Sequence, residues 1–315
     1  MNEMTILFIA GPFSVTAFGL CLTLGVVLAV CMVAFLGRKD PGVNAVLSLS
    51  AATIAGAMLG ARILYCLTML DFILVDLGGM GFMPRLWEGG YTLYGAVLGG
   101  GAGALIYARV TKRNIGRMLD LAAVGGALAL IFERAGEYFT TQGLGEYIMD
   151  ERWQRFPFAV QSVYEDWQIP VFMYEALAAL VIAIVLVWMQ GRKPAGRAAE
   201  AFIILLGVTQ IILESLREDE FIRFGFVRLN MLAAAITMGL TFFWRVRRML
   251  KARKWIPWQI IRLVVFALGI VLVILIEFAL DKSSIDDTLL YFVMAGMLGV
   301  MGFAMLFDGR KKTDQ

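Results

Sequence analysis

Charged side chains interrupt several apolar segments of this chain, and they are the first candidates for chemistry. Glu133, Arg134 and Glu137 lie at the end of one apolar run, Arg62 lies in the segment GARILY, and Glu175 lies in PVFMYEAL. An ionisable group at mid-membrane depth costs on the order of 3 kcal/mol, so such groups usually pair with one another or perform a function. Their positions therefore predict a polar site in an apolar surrounding.

A further apolar run ends in three polar residues at helical spacing. Gln210, Glu214 and Arg217 follow the pattern i, i+4, i+7, which places them on one helical face. Arginine binds phosphate through a planar fork of N–H groups and stays charged, so arginines at headgroup depth predict a phospholipid phosphate as ligand. Structural ion pairing with ordinary snorkelling at helix ends is the alternative interpretation.

The composition excludes several common kinds of active site. The chain contains no histidine, and its 3 cysteines lie in apolar runs without CxxC spacing. Histidine is the commonest base near neutral pH and the commonest metal ligand. A zinc hydrolase or a Ser-His-Asp enzyme is therefore excluded, and no metal or other cofactor is expected. The net charge of +3 gives no indication of a nucleic-acid partner.

The elements that must position these residues are membrane-spanning helices. Hydrophobic residues make up 60% of the chain and charged residues only 17%. Apolar runs of about twenty residues, the length needed to cross a bilayer, recur throughout. An all-α polytopic membrane protein is therefore predicted. The expected spans are about 15–36, 44–68, 92–110, 118–133, 168–190, 200–216, 229–245, 259–280 and 288–307.

Lys and Arg are concentrated in alternate loops, and this predicts the orientation of the chain. The richer set of loops includes RVRRMLKARKWIPW at 245–258 and the C-terminal tail. Because positive loops stay in the cytoplasm, the N-terminus is expected outside and the C-terminus in the cytoplasm. The loops at about 69–91, 134–167 and 217–228 then lie on the outer face. The long aromatic loop 134–167 is expected to form an outer cap at headgroup level.

Six segments occur in the order that is typical of one family of membrane enzymes. They are IAGPFSVTAFGLCLTLG, GARILY, WEGGYTLYGAVLGG, ERAGEYFTTQGLG at 133–145, PVFMYEAL and GRAAEAFIILLGVTQIILESLRED. With these segments, from about residue 8 to 235, the chain resembles prolipoprotein diacylglyceryl transferases. ERAGEYFTTQGLG resembles the family signature, which normally reads Gly-Arg-x-Gly-Asn-Phe-x-Asn-Gly-Glu-x-x-Gly.

The resemblance implies a fold and a reaction. A seven-helix transferase-like core would occupy residues 1–245, and residues 246–315 would add a basic cytoplasmic linker and a two-helix extension. The family transfers a diacylglyceryl group from phosphatidylglycerol to the lipobox cysteine of prolipoproteins, which matures bacterial lipoproteins. The expected partners are phosphatidylglycerol, or another anionic phospholipid, and the prolipoprotein signal peptide. The expected location is the bacterial cytoplasmic membrane.

The resemblance also implies roles for individual residues. Arg134 matches the signature arginine, a phosphate binder, and Arg62 and Arg217 match basic positions around the lipid. The expected catalytic residues are Tyr94, Arg134, Glu175 and Glu214. The expected substrate-binding residues are Arg62, Glu137, Gln142, Gly145, Gln210 and Arg217.

Four of these positions depart from the family pattern. Tyr94 occupies a position that often holds histidine, and Glu137 replaces the signature asparagine. Gln142 replaces a glutamate, and Gln210 replaces an arginine, which removes a positive charge where a phosphate is expected. Two alternatives to transfer therefore remain: an altered family member that binds lipid or lipoprotein without catalysis, and a lipid transporter.

Overall fold

A computed structural model of the protein describes residues 5–10, 13–75, 79–140, 142–162, 165–218, 223–224, 227–251, 256–282 and 286–307. The first helices in these ranges are α1 (Ala17–Gly37), α2 (Val43–Thr68), α3 (Leu70–Val75), α4 (Leu93–Val110) and α5 (Ile115–Gly136). They are followed by α6 (Val171–Met189), α7 (Arg197–Ser215), α8 (Leu229–Lys251), α9 (Ile256–Lys282) and α10 (Asp287–Leu306).

Strands are few and short within the described residues. They form three two-stranded antiparallel sheets. The pairs are β1 (Ile6–Ala10) with β2 (Phe13–Thr16), β3 (Val160–Gln161) with β4 (Trp167–Gln168), and β5 (Arg223–Phe224) with β6 (Val227–Arg228). The predicted all-α class is therefore confirmed, with hairpins confined to segments between helices and before α1.

Eight helical stretches of the described residues are long and apolar enough to cross a membrane. The first, Ala17–Thr68, is 52 residues long and contains both α1 and α2. Between them Asp40 leaves the helical conformation, with φ −151° and ψ 113°, and Pro41 follows. The nine predicted spans count α1 and α2 as two separate spans. A polytopic membrane protein is confirmed, and the number of crossings stays a prediction.

Some helix ends differ from the predicted spans. α5 continues through Arg134 to Gly136, because the charges that mark its end are buried and paired within the protein. α8 continues to Lys251, so the first half of the basic segment 245–258 is helical and not a linker. Basic side chains in the last turn of a helix are favoured by its dipole, which explains the continuation.

Chain contacts divide the protein into two compact units. The first contains Met1–Phe202 and Arg217–Glu220, and the second contains Ile203–Leu216 and Phe221–Gln315. This division follows packing, whereas the predicted boundary near residue 245 separates a catalytic core from an extension. That functional boundary stays a prediction.

In the first unit, glycines bring α2 and α4 into backbone contact. A Cβ atom on Gly99 would overlap the backbone of Gly56, and one on Gly95 would overlap that of Gly60. Small residues permit such close approach in membrane proteins, where dispersion between closely packed helices replaces the hydrophobic effect. The close approach fixes the start of α4, which carries Tyr94, against the C-terminal half of α2, which carries Arg62.

The same unit contains a side-chain cap for α7. Both carboxylate oxygens of Asp120, in α5, accept backbone N–H groups at 2.8 Å, one from Gly196 and one from Ala199. The first N–H groups of a helix have no partner within it, so this carboxylate satisfies two of them and favours the helix dipole. The α7 start is thereby attached to α5, the helix of Arg134.

In the second unit, two buried arginines cap the C-terminus of α10. Arg245 of α8 donates to the carbonyl of Met305 at 2.6 Å, and Arg262 of α9 donates to that of Ala304 at 2.6 Å. The last carbonyls of a helix lack intrahelical partners, and cations are favoured there. Arg262 falls inside a predicted apolar span, and its buried guanidinium explains how that span can contain a charge.

Candidate active site

Arg134 and Glu137 form the local part of a buried ionic network. Arg134 lies in the last turn of α5, and Glu137 opens the short 3-10 turn that follows it. Arg134 Nη1 donates to Glu137 Oε1 at 2.5 Å, a spacing of three residues that places both side chains on one face. Both residues are less than 5% exposed. The helix end therefore presents a fixed ion pair.

Glu175 and Arg217 join this pair from distant parts of the chain. Glu175 lies in α6, and Arg217 follows α7. Arg217 Nη1 donates to Glu175 Oε2 at 2.7 Å, and its Nη2 donates to Glu137 Oε2 at 3.1 Å. Glu175 Oε2 also lies 3.5 Å from Arg134 Nη1. Each guanidinium thus contacts both carboxylates.

Glu133 adds a third carboxylate. Its Oε2 lies 3.2 Å from Nε of Arg134. These five side chains carry two positive and three negative formal charges. A buried charge without a partner is strongly destabilising, so the carboxylates stabilise both arginines. The network, which we call the arginine–carboxylate cluster, consists of Glu133, Arg134, Glu137, Glu175 and Arg217.

The backbone around Gly145 frames the arginine–carboxylate cluster. Gly145 forms an antiparallel bridge with Arg217, and its N–H donates to the carbonyl of Ile169 at 2.8 Å. The N–H of Glu218 donates to the carbonyl of Leu144 at 2.9 Å. These bonds hold the end of the family signature against the residue that supplies the second arginine. The structure therefore brings Gly145, Arg134, Glu137, Glu175 and Arg217 together, although no sequence spacing connects them all.

Gly143 is a part of the site that sequence reasoning missed. Its φ is +75°, and an added Cβ would overlap the Glu137 carboxylate and the Phe172 side chain. Glycine adopts positive φ without steric cost and leaves room for a neighbour. The dipeptide QG is a turn signal, but only the structure shows which side chain needs the space.

Arg62 lies in a different environment, surrounded by backbone carbonyls of residues 82–90. Nε donates to Met83, and Nη2 donates to Phe82 and Arg85, at 2.8 to 3.1 Å. Nη1 donates to the carbonyls of Gly89 and Gly90. All five N–H groups of the guanidinium can be satisfied in this way. In this structure Arg62 fixes the segment before α4, and its role as a lipid ligand stays a prediction.

Tyr91 belongs to the same segment. Its hydroxyl donates to the carbonyl of Leu86, and burial raises its pKa above the usual value near 10, while Arg62 acts in the opposite direction. Tyr91 therefore stays protonated at neutral pH and serves as a hydrogen-bond donor.

Tyr94 and Gln142 have contrasting positions. Tyr94 lies in the first turn of α4 and is 2% exposed. The residue before this helix, Thr92, donates from both its N–H and its hydroxyl to the carbonyl of Ala61 in α2. Gln142 is exposed, and its N–H donates to the hydroxyl of Thr140 at 3.1 Å. A buried tyrosine hydroxyl can move a proton, whereas the exposed amide of Gln142 can meet a ligand that enters from outside.

Gln210 and Glu214 pair within the second compact unit. Gln210 Nε2 donates to Glu214 Oε2 at 2.9 Å, and Asn230 Nδ2 donates to the same oxygen at 3.1 Å. All three residues are buried. The helical spacing predicted the first contact. Asn230, from α8, was missed, because a lone asparagine at the start of an apolar run carries no specific signal.

The fold and the cluster define a class of protein: a polytopic helical membrane protein with a buried arginine–carboxylate site. Among the described residues, no group of three or more His, Cys, Asp and Glu could hold a metal ion.

Comparison with known proteins assigns the family. The family model "Prolipoprotein diacylglyceryl transferase" matches residues 5–247, so the chain belongs to this family. The membership and the enzyme class predicted from the order of motifs are thereby confirmed.

Individual relatives agree with this assignment, and all three below are named phosphatidylglycerol–prolipoprotein diacylglyceryl transferase. The protein of Synechococcus elongatus is 27% identical over 264 residues, which cover 76% of this chain and 87% of the relative. That of Symbiobacterium thermophilum is 27% identical over 250 residues, 76% of this chain and 91% of the relative. That of Streptococcus pneumoniae is 26% identical over 239 residues, which cover 73% of this chain and 88% of the relative. These names favour transfer over the binding-only and transport alternatives.

Proposed function

We propose that this protein transfers the diacylglyceryl group of phosphatidylglycerol to the lipobox cysteine of prolipoproteins. The observation that carries the proposal is the arginine–carboxylate cluster, in which Arg134 and Arg217 are buried at the ends of apolar helices. Two guanidinium groups at such a place suit the phosphate of a membrane lipid, because each can form bidentate hydrogen bonds.

The reaction makes two demands on the site. The cysteine sulfur forms a bond to the glyceryl carbon, the bond from that carbon to the phosphate oxygen breaks, and glycerol phosphate leaves with the electron pair. The thiol proton must pass to a base. Arg134 and Arg217 stabilise the charge on the departing phosphate, which is the electrostatic contribution that commonly dominates such catalysis.

Three residues are proposed for the proton transfer. Tyr94, Glu175 and Glu214 are all buried, and a carboxylate or a phenol can accept a thiol proton once the thiol is held nearby. Glu175 also contacts both arginines of the cluster. Replacing each of these residues in turn, and measuring transfer as a function of pH, would separate a base from a positioning residue.

The remaining expected site residues are assigned to binding. Gly145 pairs its backbone with that of Arg217, and Gln142 lies exposed where a headgroup or a peptide can reach it. Gln210 holds Glu214, and Arg62 acts on the lipid site through the segment 82–90 that it fixes. The signal peptide of a prolipoprotein is proposed to approach over the aromatic cap at 134–167.

The site is proposed to open to the outer leaflet of the bacterial cytoplasmic membrane. The lysine and arginine bias of the loops supports an outside N-terminus and a cytoplasmic C-terminus. At 1.5 Å per residue, α1 and α2 are each about as long as a bilayer is thick, which supports separate crossings and nine spans in total.

A direct assay tests the function. Purified full-length protein is mixed with phosphatidylglycerol and a synthetic lipobox peptide, and the products are followed by mass spectrometry. The expected result is glycerol phosphate together with a peptide that has gained one diacylglyceryl group. A folded protein that gives neither product would contradict the transferase function. Lipid movement across liposomes without covalent product would instead support transport.

A further inference from the structure

The Glu137 carboxylate occupies the place between the two buried guanidinium groups. Oε1 accepts from Arg134 Nη1 at 2.5 Å, and Oε2 accepts from Arg217 Nη2 at 3.1 Å. A phosphate that binds both arginines would use two oxygens in the same way. Glu175 contacts both arginines through the same oxygen, Oε2. Glu137 is therefore the carboxylate whose geometry resembles that of a bridging phosphate.

The protein is built to keep the Glu137 side chain in this place. Gly143 leaves the volume that the carboxylate fills, and Glu137 is only 3% exposed. The charge balance points the same way. Within the arginine–carboxylate cluster, Glu133 and Glu175 supply one carboxylate for each arginine, and Glu137 adds a third formal negative charge.

We propose that Glu137 is a specificity-determining residue, an internal anion that competes with the donor's phosphate for Arg134 and Arg217. The proposal rests on the proposed function, since it concerns how the same site admits its lipid. An anionic phospholipid gains both arginines only when the Glu137 carboxylate moves out from between them. The competition weakens binding of every anionic phosphate and leaves binding of uncharged lipids unchanged.

The matched variants are Glu137→Gln and Glu133→Gln. Both remove one negative charge from the arginine–carboxylate cluster, but the Glu133 carboxylate pairs with Nε of Arg134, whereas that of Glu137 pairs with both arginines. Glu137→Asp keeps the charge on a shorter side chain. Thermal unfolding and size-exclusion chromatography of each full-length variant in detergent establish that it is folded.

The binding experiment uses three probes: dioctanoyl phosphatidylglycerol, glycerol 1-phosphate, and dioctanoylglycerol, which has no phosphate. Because hydrogen bonds to charged groups are among the stronger ones in proteins, removing the competing carboxylate is expected to tighten phosphatidylglycerol binding about tenfold or more. Glu133→Gln is expected to change it by less, Glu137→Asp is expected to bind like the parent protein, and dioctanoylglycerol is expected to bind all variants equally.

Each outcome bears on one of the two proposals. If folded Glu137→Gln binds phosphatidylglycerol no more tightly than the parent, the competing anion is excluded while the transferase function stands. The same holds if Glu133→Gln gives an equal gain, which would show a general charge effect. If Glu137→Gln binds only glycerol 1-phosphate more tightly, the lipid is not the ligand with which Glu137 competes, and the proposal is wrong. If no variant binds phosphatidylglycerol, the proposed donor fails, and with it this inference.

Discussion

At the scale of single residues, Arg134 and Arg217 owe their burial to carboxylates that come from three places in the chain. Glu133 precedes Arg134, Glu137 lies three residues after it, and Glu175 comes from α6. Desolvating an arginine is costly unless it is paired, and here each guanidinium has more than one partner. The pairing stabilises the free site, and it means that a ligand phosphate must replace an existing partner.

Replacing Arg217 by glutamine tests the phosphate assignment. Loss of one charged donor to a developing oxyanion is expected to lower transfer by about 100-fold or more. The matched control is Arg109→Gln, which makes the same change on an exposed side chain in the last turn of α4 and is expected to keep activity. Equal rates for Arg217→Gln and the parent protein would exclude Arg217 from the reaction.

Replacing Arg62 by lysine tests whether the guanidinium holds the segment 82–90. Lysine keeps the charge but has three N–H groups in place of five, so several carbonyls lose their donor. The expected loss of stability is on the order of 2 kcal/mol, read as a lower unfolding temperature in detergent. Earlier proteolytic cleavage within 82–90 is also expected, and an unchanged cleavage pattern would contradict this role. Arg85→Lys, at an exposed side chain, is the control.

At the scale of elements, the contact between α2 and α4 depends on the absence of side chains. Gly56 and Gly60 face Gly99 and Gly95 at backbone distance. This contact positions the start of α4, with Tyr94, against the helix that carries Arg62. Side-chain volume is therefore the property to which this part of the fold is most sensitive.

Replacing Gly99 by valine is expected to push α2 and α4 apart. Overpacking of this kind costs typically 1–3 kcal/mol, so the unfolding temperature in detergent should fall and transfer should fall with it. Gly101→Val is the control, because a Cβ there meets no atom within 4 Å. If both variants unfold at the same temperature, the close helix contact does not stabilise the fold.

The capping contacts belong to the same scale. Asp120 attaches the start of α7 to α5, and Arg245 and Arg262 bind the end of α10. Each side chain satisfies backbone groups that a helix leaves open at its end. Helix ends are thus connected by side chains of neighbouring helices within each unit, and Arg245 and Arg262 find carbonyl acceptors there.

At the scale of the whole molecule, orientation in the membrane is the property that connects the site to its substrates. Under the proposed function, the arginine–carboxylate cluster can meet phosphatidylglycerol and an exported prolipoprotein at the outer leaflet only if loop 134–167 lies outside. In a cysteine-free background, a membrane-impermeant maleimide is expected to label Glu151→Cys in intact spheroplasts. Lys193→Cys is expected to react only after the membrane is opened. Labelling of Lys193→Cys in intact spheroplasts would reverse the predicted orientation.

Much of the fold could be predicted because it depends on local composition. Apolar length predicted the long helices, and the ordered motifs predicted the family. The bend at Asp40 and Pro41, the cap from Asp120 and the contact of Asn230 with Glu214 could not be predicted in this way. Each involves a single polar residue whose partner is distant in sequence, so its role depends on packing.

The candidate site also has features that local sequence predicts and features that depend on packing. By itself the sequence determined that the chain crosses a membrane and that its ionisable residues interrupt apolar segments, because hydropathy is a local property. Only the tertiary structure decided which charges meet: Arg217 reaches Glu175 across 42 positions and Glu137 across 80. The tertiary structure also decided that the Arg62 guanidinium binds backbone carbonyls and that the Glu137 carboxylate lies between two arginines. Pairing in a low-dielectric interior is set by distances of a few ångströms, and sequence spacing fixes those only within a single helix.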